Sequence, residues 1–307
     1  MTCCINIISN SYLCPPGTIG NEKRSVNSEN RKAMNATIKM ILIWFFSVVF
    51  TLASAIYQRI TGPTYPERGQ AEIGGQMIRY RLIRSYDLAD DAKVKVIVPD
   101  TSIKGEIMLR RFKSHDKWQS QEMLRHDDTL IGTLPHQAPA GKVMYQVTLV
   151  KGDQRVMLND HPSVLRYTGY VPLYILIPHI LFMFMAMLFS TITGLVVIFN
   201  GRNRYIYAWI TLISVGIGGL ILGPFVQKFA FGIYWSGWPF GHDLTDNKSL
   251  IAVIFWIIAL AVMKKNRENK LWPILASIVL LTIFLIPHSV LGSEIDFTKD
   301  QKTEINK

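Results

Sequence analysis

Three stretches of the chain contain no Asp, Glu, Lys or Arg: residues 167–201, 205–227 and 271–293. Each matches or exceeds the roughly 20 residues that a helix needs to cross the hydrocarbon core of a bilayer. Lipid offers the backbone no hydrogen-bond partner, so a chain built on such runs is confined to helices or closed barrels. The runs are continuously apolar rather than alternating, which selects helices. Composition points the same way. Charged residues make up 18% of the 307 residues, against about 25% in soluble proteins, and the mean hydropathy is +0.21. The chain reads as an integral membrane protein.

Two further apolar runs complete a set of five expected spans. The first, residues 38–57, reads as a transmembrane helix or as a signal peptide, since Ala53-Ser54-Ala55 resembles a small-x-small cleavage site. The others are 171–199, 205–225, 249–263 and 271–291, with Pro178 offering a kink in the second span. Gly216, Gly218, Gly219 and Gly223 supply close-packing positions in the third. Residues 1–33 are polar, hold all three cysteines (Cys3, Cys4, Cys14) and show no apolar periodicity. They read as a disordered or mis-assigned extension ahead of Met34. The rest of the chain has no cysteine, which excludes a disulfide framework or a thiolate metal site there.

Residues 58–168 differ in kind. A proline-bearing linker leads into short alternating runs at 77–84, 92–98, 105–112, 129–134, 142–150 and 155–158, separated by Gly, Pro and Asp turns. Alternation gives one dry and one wet face, so these runs are expected strands. About seven strands in about a hundred residues suggest an antiparallel β-sandwich. Residues 137–150 resemble the approach to the F strand of immunoglobulin- or fibronectin-type domains, with Tyr145 as the buried tyrosine. The expected fold class is therefore an α+β membrane protein: an Ig-like sandwich plus a bundle of four to five transmembrane helices.

The net charge of +11 sits largely in segments flanking the spans: Lys23, Arg24, Arg31, Lys32 and Lys39, then Arg202 and Arg204, then Lys264, Lys265, Arg267 and Lys270. That distribution is the orientation signal of membrane insertion and calls for no nucleic acid. It sets the N-terminus and the two later basic loops in the cytoplasm. The 58–168 domain, the loop 227–248 and the polar tail 292–307 then lie outside. The expected location is the inner (plasma) membrane.

On this topology several polar groups gather at the outer edge. His179 lies about 12 Å inside the second span and His288 about 6 Å inside the fifth. The outer loop adds His242, Asp243 and Asp246, and the end of the last span adds Glu294. Ionisable groups within spans are functional candidates by default. Three chemistries suit them: haem b held by His179 and His288, a divalent metal on His242 with Asp243, Asp246 or Glu294, and a quinone hydrogen-bonded to a histidine. The structural alternatives are satisfaction of the carbonyl freed by Pro178, and helix capping by Asp246 or Asn247. His115, His126, His136 and His161 have no ligand spacing. Arg79, Arg81, Arg84, Lys93 and Lys95 could form one basic docking face. The spans show no internal repeat and no buried acidic residue, which argues against a transporter. No nucleophile elbow, phosphate loop, HExxH or CxxCH motif is present, so no catalytic residue is assigned.

Residues 60–66 (Ile-Thr-Gly-Pro-Thr-Tyr-Pro), 239–248 (Pro-Phe-Gly-His-Asp-Leu-Thr-Asp-Asn-Lys) and 286–294 (Ile-Pro-His-Ser-Val-Leu-Gly-Ser-Glu) together resemble a family of uncharacterised bacterial multi-pass membrane proteins with an extracytoplasmic Ig-like domain. The resemblance implies the same architecture and carries no activity. The function expected is that of a non-enzymatic interaction or assembly factor docking an envelope protein through its outer domain. The alternative is a redox or ligand-binding membrane protein with its site at the outer membrane edge.

Overall fold

A computed structural model describes residues 18–87, 89–241, 243–287 and 295–298, with side chains from residue 33 onward. Residues 1–46 and 47–307 form two compact units. The described part of the first unit is the opening of helix α1, Thr18–Thr61. That helix begins at Thr18 rather than at residue 38, so it takes in part of the segment expected to be disordered. The second unit holds the end of α1, a strand domain and the remaining helices.

The strands are β1 (Glu67–Ile73), β2 (Gln76–Leu82), β3 (Ser85–Tyr86), β4 (Ala92–Ile97), β5 (Lys104–Arg111) and β6 (Gln119–Glu122). They continue as β7 (Leu124–His126), β8 (Thr129–Leu134), β9 (Lys142–Lys151), β10 (Gln154–Met157) and β11 (Ser163–Tyr167). All six expected runs are strands. They form a β1-β2 hairpin, a sheet in the order β3-β11-β9-β5-β6 with β10 also on β9, and a sheet in the order β4-β8-β7. The ladders are antiparallel except for β3 beside β11. Strand alternation builds the core directly. In β4, Ala92, Val94 and Val96 point inward while Lys93, Lys95 and Ile97 face out. In β9, Val143, Tyr145, Val147 and Leu149 join the same interior. Tyr145 is buried as expected, and its hydroxyl donates to the Ile83 carbonyl at 2.7 Å. That bond lets a polar tip remain in an apolar core.

Among the described residues four helices are long and apolar enough to cross a membrane: residues 33–61 within α1, α2 (Leu173–Ile198), the continuous stretch 204–231, and α5 (Leu244–Lys265). The 204–231 stretch divides into α3 (Arg204–Val215), a π-helical segment (Gly216–Leu222) and α4 (Gly223–Phe231). The fifth expected span is cut short. Helix α6 runs Leu271–Leu285, because Pro287 holds Ile286 in extended backbone (ψ 117°). The fourth is longer than expected and starts at Leu244, because Asp243 caps it. The bundle interior is built from small residues (Ala186, Ala208, Ala252, Ala259 and Ala276) around a fully buried Trp256. Small residues let helices approach closely.

The two basic connections meet at one end of the bundle. Arg204 pairs with Glu268, and the Arg267 guanidinium lies 3.8 Å from the Tyr205 ring centre. The strand domain sits at the other end. There the Gly169 N–H donates to the Ala230 carbonyl at 2.9 Å, tying the exit of β11 to the end of α4. A Cβ at position 169 would collide with the Phe229 carbonyl, so this approach requires glycine. The end of α6 is held by Gln58, whose amide donates to the Phe284 carbonyl at 2.8 Å. Residues 295–298 return to the strand domain: the Ile295 N–H donates to Ala140, and Arg111 stacks over Phe297.

Candidate functional site

Where β11 meets the helices there is a cavity of about 220 Å³. Its lining comes from five elements. The strand domain contributes Arg166, and α2 contributes His179 and Met183. The π-helical segment and α4 contribute Gly219, Gly223, Val226, Gln227, Ala230 and Phe231. The start of α5 contributes Asp243, Thr245, Asp246 and Ser249.

The backbone explains the placement of His179. A π-helical turn bonds each N–H to the carbonyl five residues back and widens the helix, and such turns recur at functional sites. Here the Gly223 N–H reaches the Gly218 carbonyl, and His179 Nδ1 lies 2.9 Å from that same oxygen. A carbonyl only accepts, so the proton is on Nδ1 and the neutral ring keeps Nε2 as an acceptor. The glycines are also a packing requirement. A Cβ on Gly218 would stand 2.9 Å from Met183 Sδ, tighter than real contacts allow.

On the other wall, Asp243 Oδ1 accepts from the Thr245 N–H at 2.8 Å and the Asp246 N–H at 3.4 Å. Helix N-termini leave such donors unpaired, and a carboxylate there satisfies them. Asp246, expected as a cap, has a different task. Its Oδ2 accepts from the backbone N–H groups of Ser236 (2.6 Å) and Gly237 (3.0 Å) and from Ser236 Oγ. Asn247 Oδ1 likewise accepts from the Trp238 N–H at 2.7 Å. Gln227 closes the network by donating to Ser236 Oγ at 2.5 Å. Residues 236–238 are thus pinned onto the first turns of α5.

Asp246 is only 6% exposed and Lys248 only 7%. Both belong to α5, so the spans do contain buried ionisable residues, contrary to the sequence reading. That reading took 227–248 as a loop, whereas α4 extends to Phe231 and α5 begins at Leu244. Lys248 Nζ lies 3.4 Å from the carbonyl of Ile286, the residue that follows α6, and the Gln58 amide lies 3.5 Å from the same oxygen.

Of the six candidates, the structure brings His179, Asp243 and Asp246 to one cavity. His242, His288 and Glu294 lie outside the described residues, and with them the histidine pair proposed for haem b and half of the proposed metal set. Among the described residues no three His, Cys, Asp or Glu side chains are grouped to hold a metal ion. Sequence reading missed Arg166, which is 3% exposed with its guanidinium 4.2 Å from the Phe231 ring centre. It also missed Gln227 and Lys248. The available signal was position: Arg166 is the last charge before the longest uncharged run, Gln227 the last residue of the glycine-rich one, and Lys248 the last charge before the uncharged run 249–263. Comparison of the chain with protein-family models, curated proteins and solved structures yields no match.

Proposed function

We propose that the chain is a ligand-binding multi-pass membrane protein of the bacterial inner membrane, in which an extracytoplasmic Ig-like sandwich roofs a cavity at the outer edge of a helical bundle. One observation carries this reading: Arg166, His179, Gln227, Asp243 and Asp246, from four separate elements, converge on a single cavity. Holding ionisable groups this deep in an apolar bundle is expensive, and function is the usual reason for it. The proposed orientation is supported by the two basic loops, which meet at the end of the bundle away from the strand domain, as loops on a cytoplasmic side would.

The test uses full-length protein purified in detergent, with its bound small molecules extracted and weighed by mass spectrometry. A species present at near-stoichiometric level in the wild type and absent from Gly223→Leu supports the reading. The same extract from both proteins would overturn it. A Cβ at 223 meets nothing closer than 3.5 Å, and an unchanged size-exclusion profile confirms that the variant folds.

A second reading, docking of an envelope partner, is favoured by strand β6. All four of its residues are exposed, and it pairs only with β5. An open edge of this kind can accept another strand. A photo-crosslinker at Ser120 of the full chain in cells would capture a second protein on this reading. Crosslinks to lipid or water alone would remove it.

A further inference from the structure

Resting on the cavity reading above, we infer that the ligand is the head group of a hydroquinone: a flat ring with two hydroxyl-type oxygens on an apolar tail. Three properties of the cavity converge on this class.

The first is size and depth. About 220 Å³ is below the roughly 300–1,000 Å³ of drug-sized sites, enough for one ring but not for a macrocycle. His179 lies six residues into α2, about 9 Å along its axis, so the floor is within the span while the roof is Arg166 of the strand domain. A lipid-soluble molecule can present its head at that depth and leave its tail among the helices' apolar outer surfaces.

The second is shape. Gly219 and Gly223 share one face of the helix, and a Cβ on Gly223 would come within 4.0 Å of the His179 ring edge. Gly219 admits Ser249 of α5 to close contact, and the absent side chain of Gly223 leaves space beside the imidazole. Met183, Val226 and Phe231 supply the remaining apolar lining.

The third is hydrogen bonding. With Nδ1–H committed to the Gly218 carbonyl, His179 offers the ligand an acceptor, Nε2. Arg166, which has donors only, stands at the roof. A ring with two hydroxyls can donate to Nε2 and accept from a donor elsewhere in the lining. A phosphate or carboxylate would instead face the Nε2 lone pair together with Asp243 and Asp246. A divalent metal would find one imidazole and no third grouped ligand among the described residues. Only binding is inferred; electron transfer is not part of it.

The experiment titrates full-length protein in quinone-free lipid nanodiscs with decylubiquinol under reducing anaerobic conditions, with decylubiquinone and with inorganic phosphate, following tryptophan fluorescence. Decylubiquinol is expected to bind saturably. Decylubiquinone, lacking the O–H that His179 accepts, should bind at least tenfold more weakly. The key variant is His179→Asn, whose amide N–H can still serve the Gly218 carbonyl but which has no counterpart of Nε2. It should fold, as judged by size-exclusion profile, and lose at least tenfold in quinol affinity. His179→Asn binding quinol like the wild type, or phosphate binding more tightly than quinol, overturns the hydroquinone assignment. If neither quinol nor quinone binds while Gly223→Leu still sheds a co-purified molecule, the assignment fails and the cavity reading stands. If Gly223→Leu changes neither the extract nor quinol binding, both fail.

Discussion

The strand domain and the helical bundle solve opposite versions of one problem. In the strand domain the core cluster is apolar residues and tyrosines, the buried polar residues among those described are Asn159, Ser163 and Arg166, and other charges sit outside in pairs such as Lys151–Asp100 and Arg111–Asp116. In the bundle both the surface and the interior are largely apolar, and the interior also holds polar groups. Leu181, Ile206, Ile221 and Ile257 face outward, while Ser190, Thr193, Thr211, Ser214, Gln227, Asp246 and Lys248 are buried. Water rewards the first arrangement, and the second suits helices that are long and apolar enough to cross a membrane. The comparison shows where chemistry can be placed. A dry β-core has no room for unpaired polar groups, whereas a bundle of small residues holds them if each finds a partner. The cavity forms where the two regimes meet, with one lining residue from the strand domain and the rest from the helices.

Several substitutions would break or sharpen this contrast. The largest expected effect is Trp256→Ala, which empties the centre of the bundle and should destabilise it by about 3–5 kcal/mol. The unfolding transition of the strand domain should stay in place, and a concerted loss of both transitions would show that the two regions are one cooperative unit. Ile107→Ala is the counterpart in the β-core, where full burial implies about 2–5 kcal/mol, measured as a shift of the strand-domain transition in denaturant. Asp246→Ala leaves the Ser236 and Gly237 N–H groups without their acceptor and should cost about 1–3 kcal/mol. It should also raise hydrogen exchange at residues 236–238, and unchanged exchange there would contradict the pinning role.

The smallest effect is electrostatic and belongs to the strand domain. The hydrogen bond from Lys151, with help from Ser102, holds the Asp100 carboxyl well below the usual carboxylate range. Its folded-state pKa is depressed, so its stabilising contribution is complete above the ordinary aspartate value. It is lost as pH falls through and below that value. Acid titration of the strand-domain transition should therefore be shallower in Asp100→Asn than in the wild type. Equal slopes would mean that the pair is fully screened by solvent.

The strand domain was the more legible region. Period-two alternation at 92–98 or 142–150 is enforced residue by residue by burial of one face, so a local pattern reports a local fact. Helix ends were less legible. Pro287 ends α6 earlier than hydropathy alone indicates, and Asp243 starts α5 earlier, because caps and prolines act on backbone groups that an apolar window does not register. The candidate site was half legible. His179, Asp243 and Asp246 stand out as polar residues at span edges, but Arg166 is more than ten residues from each of them in sequence and shares the cavity only through the fold.

What the amino-acid order determined by itself is the division of the chain: uncharged runs that must be helical, an alternating region that must form sheets, and basic residues collected at their junctions. These follow from the solvation of each residue by water or lipid, which needs no knowledge of neighbours. The tertiary structure alone decided that the exit of β11 lies against α4 through Gly169, that a π-helical turn presents the Gly218 carbonyl to His179, and that Asp246 holds a loop rather than a helix end. Each depends on distances between elements remote in sequence, and hydrogen bonds form only when those elements have packed.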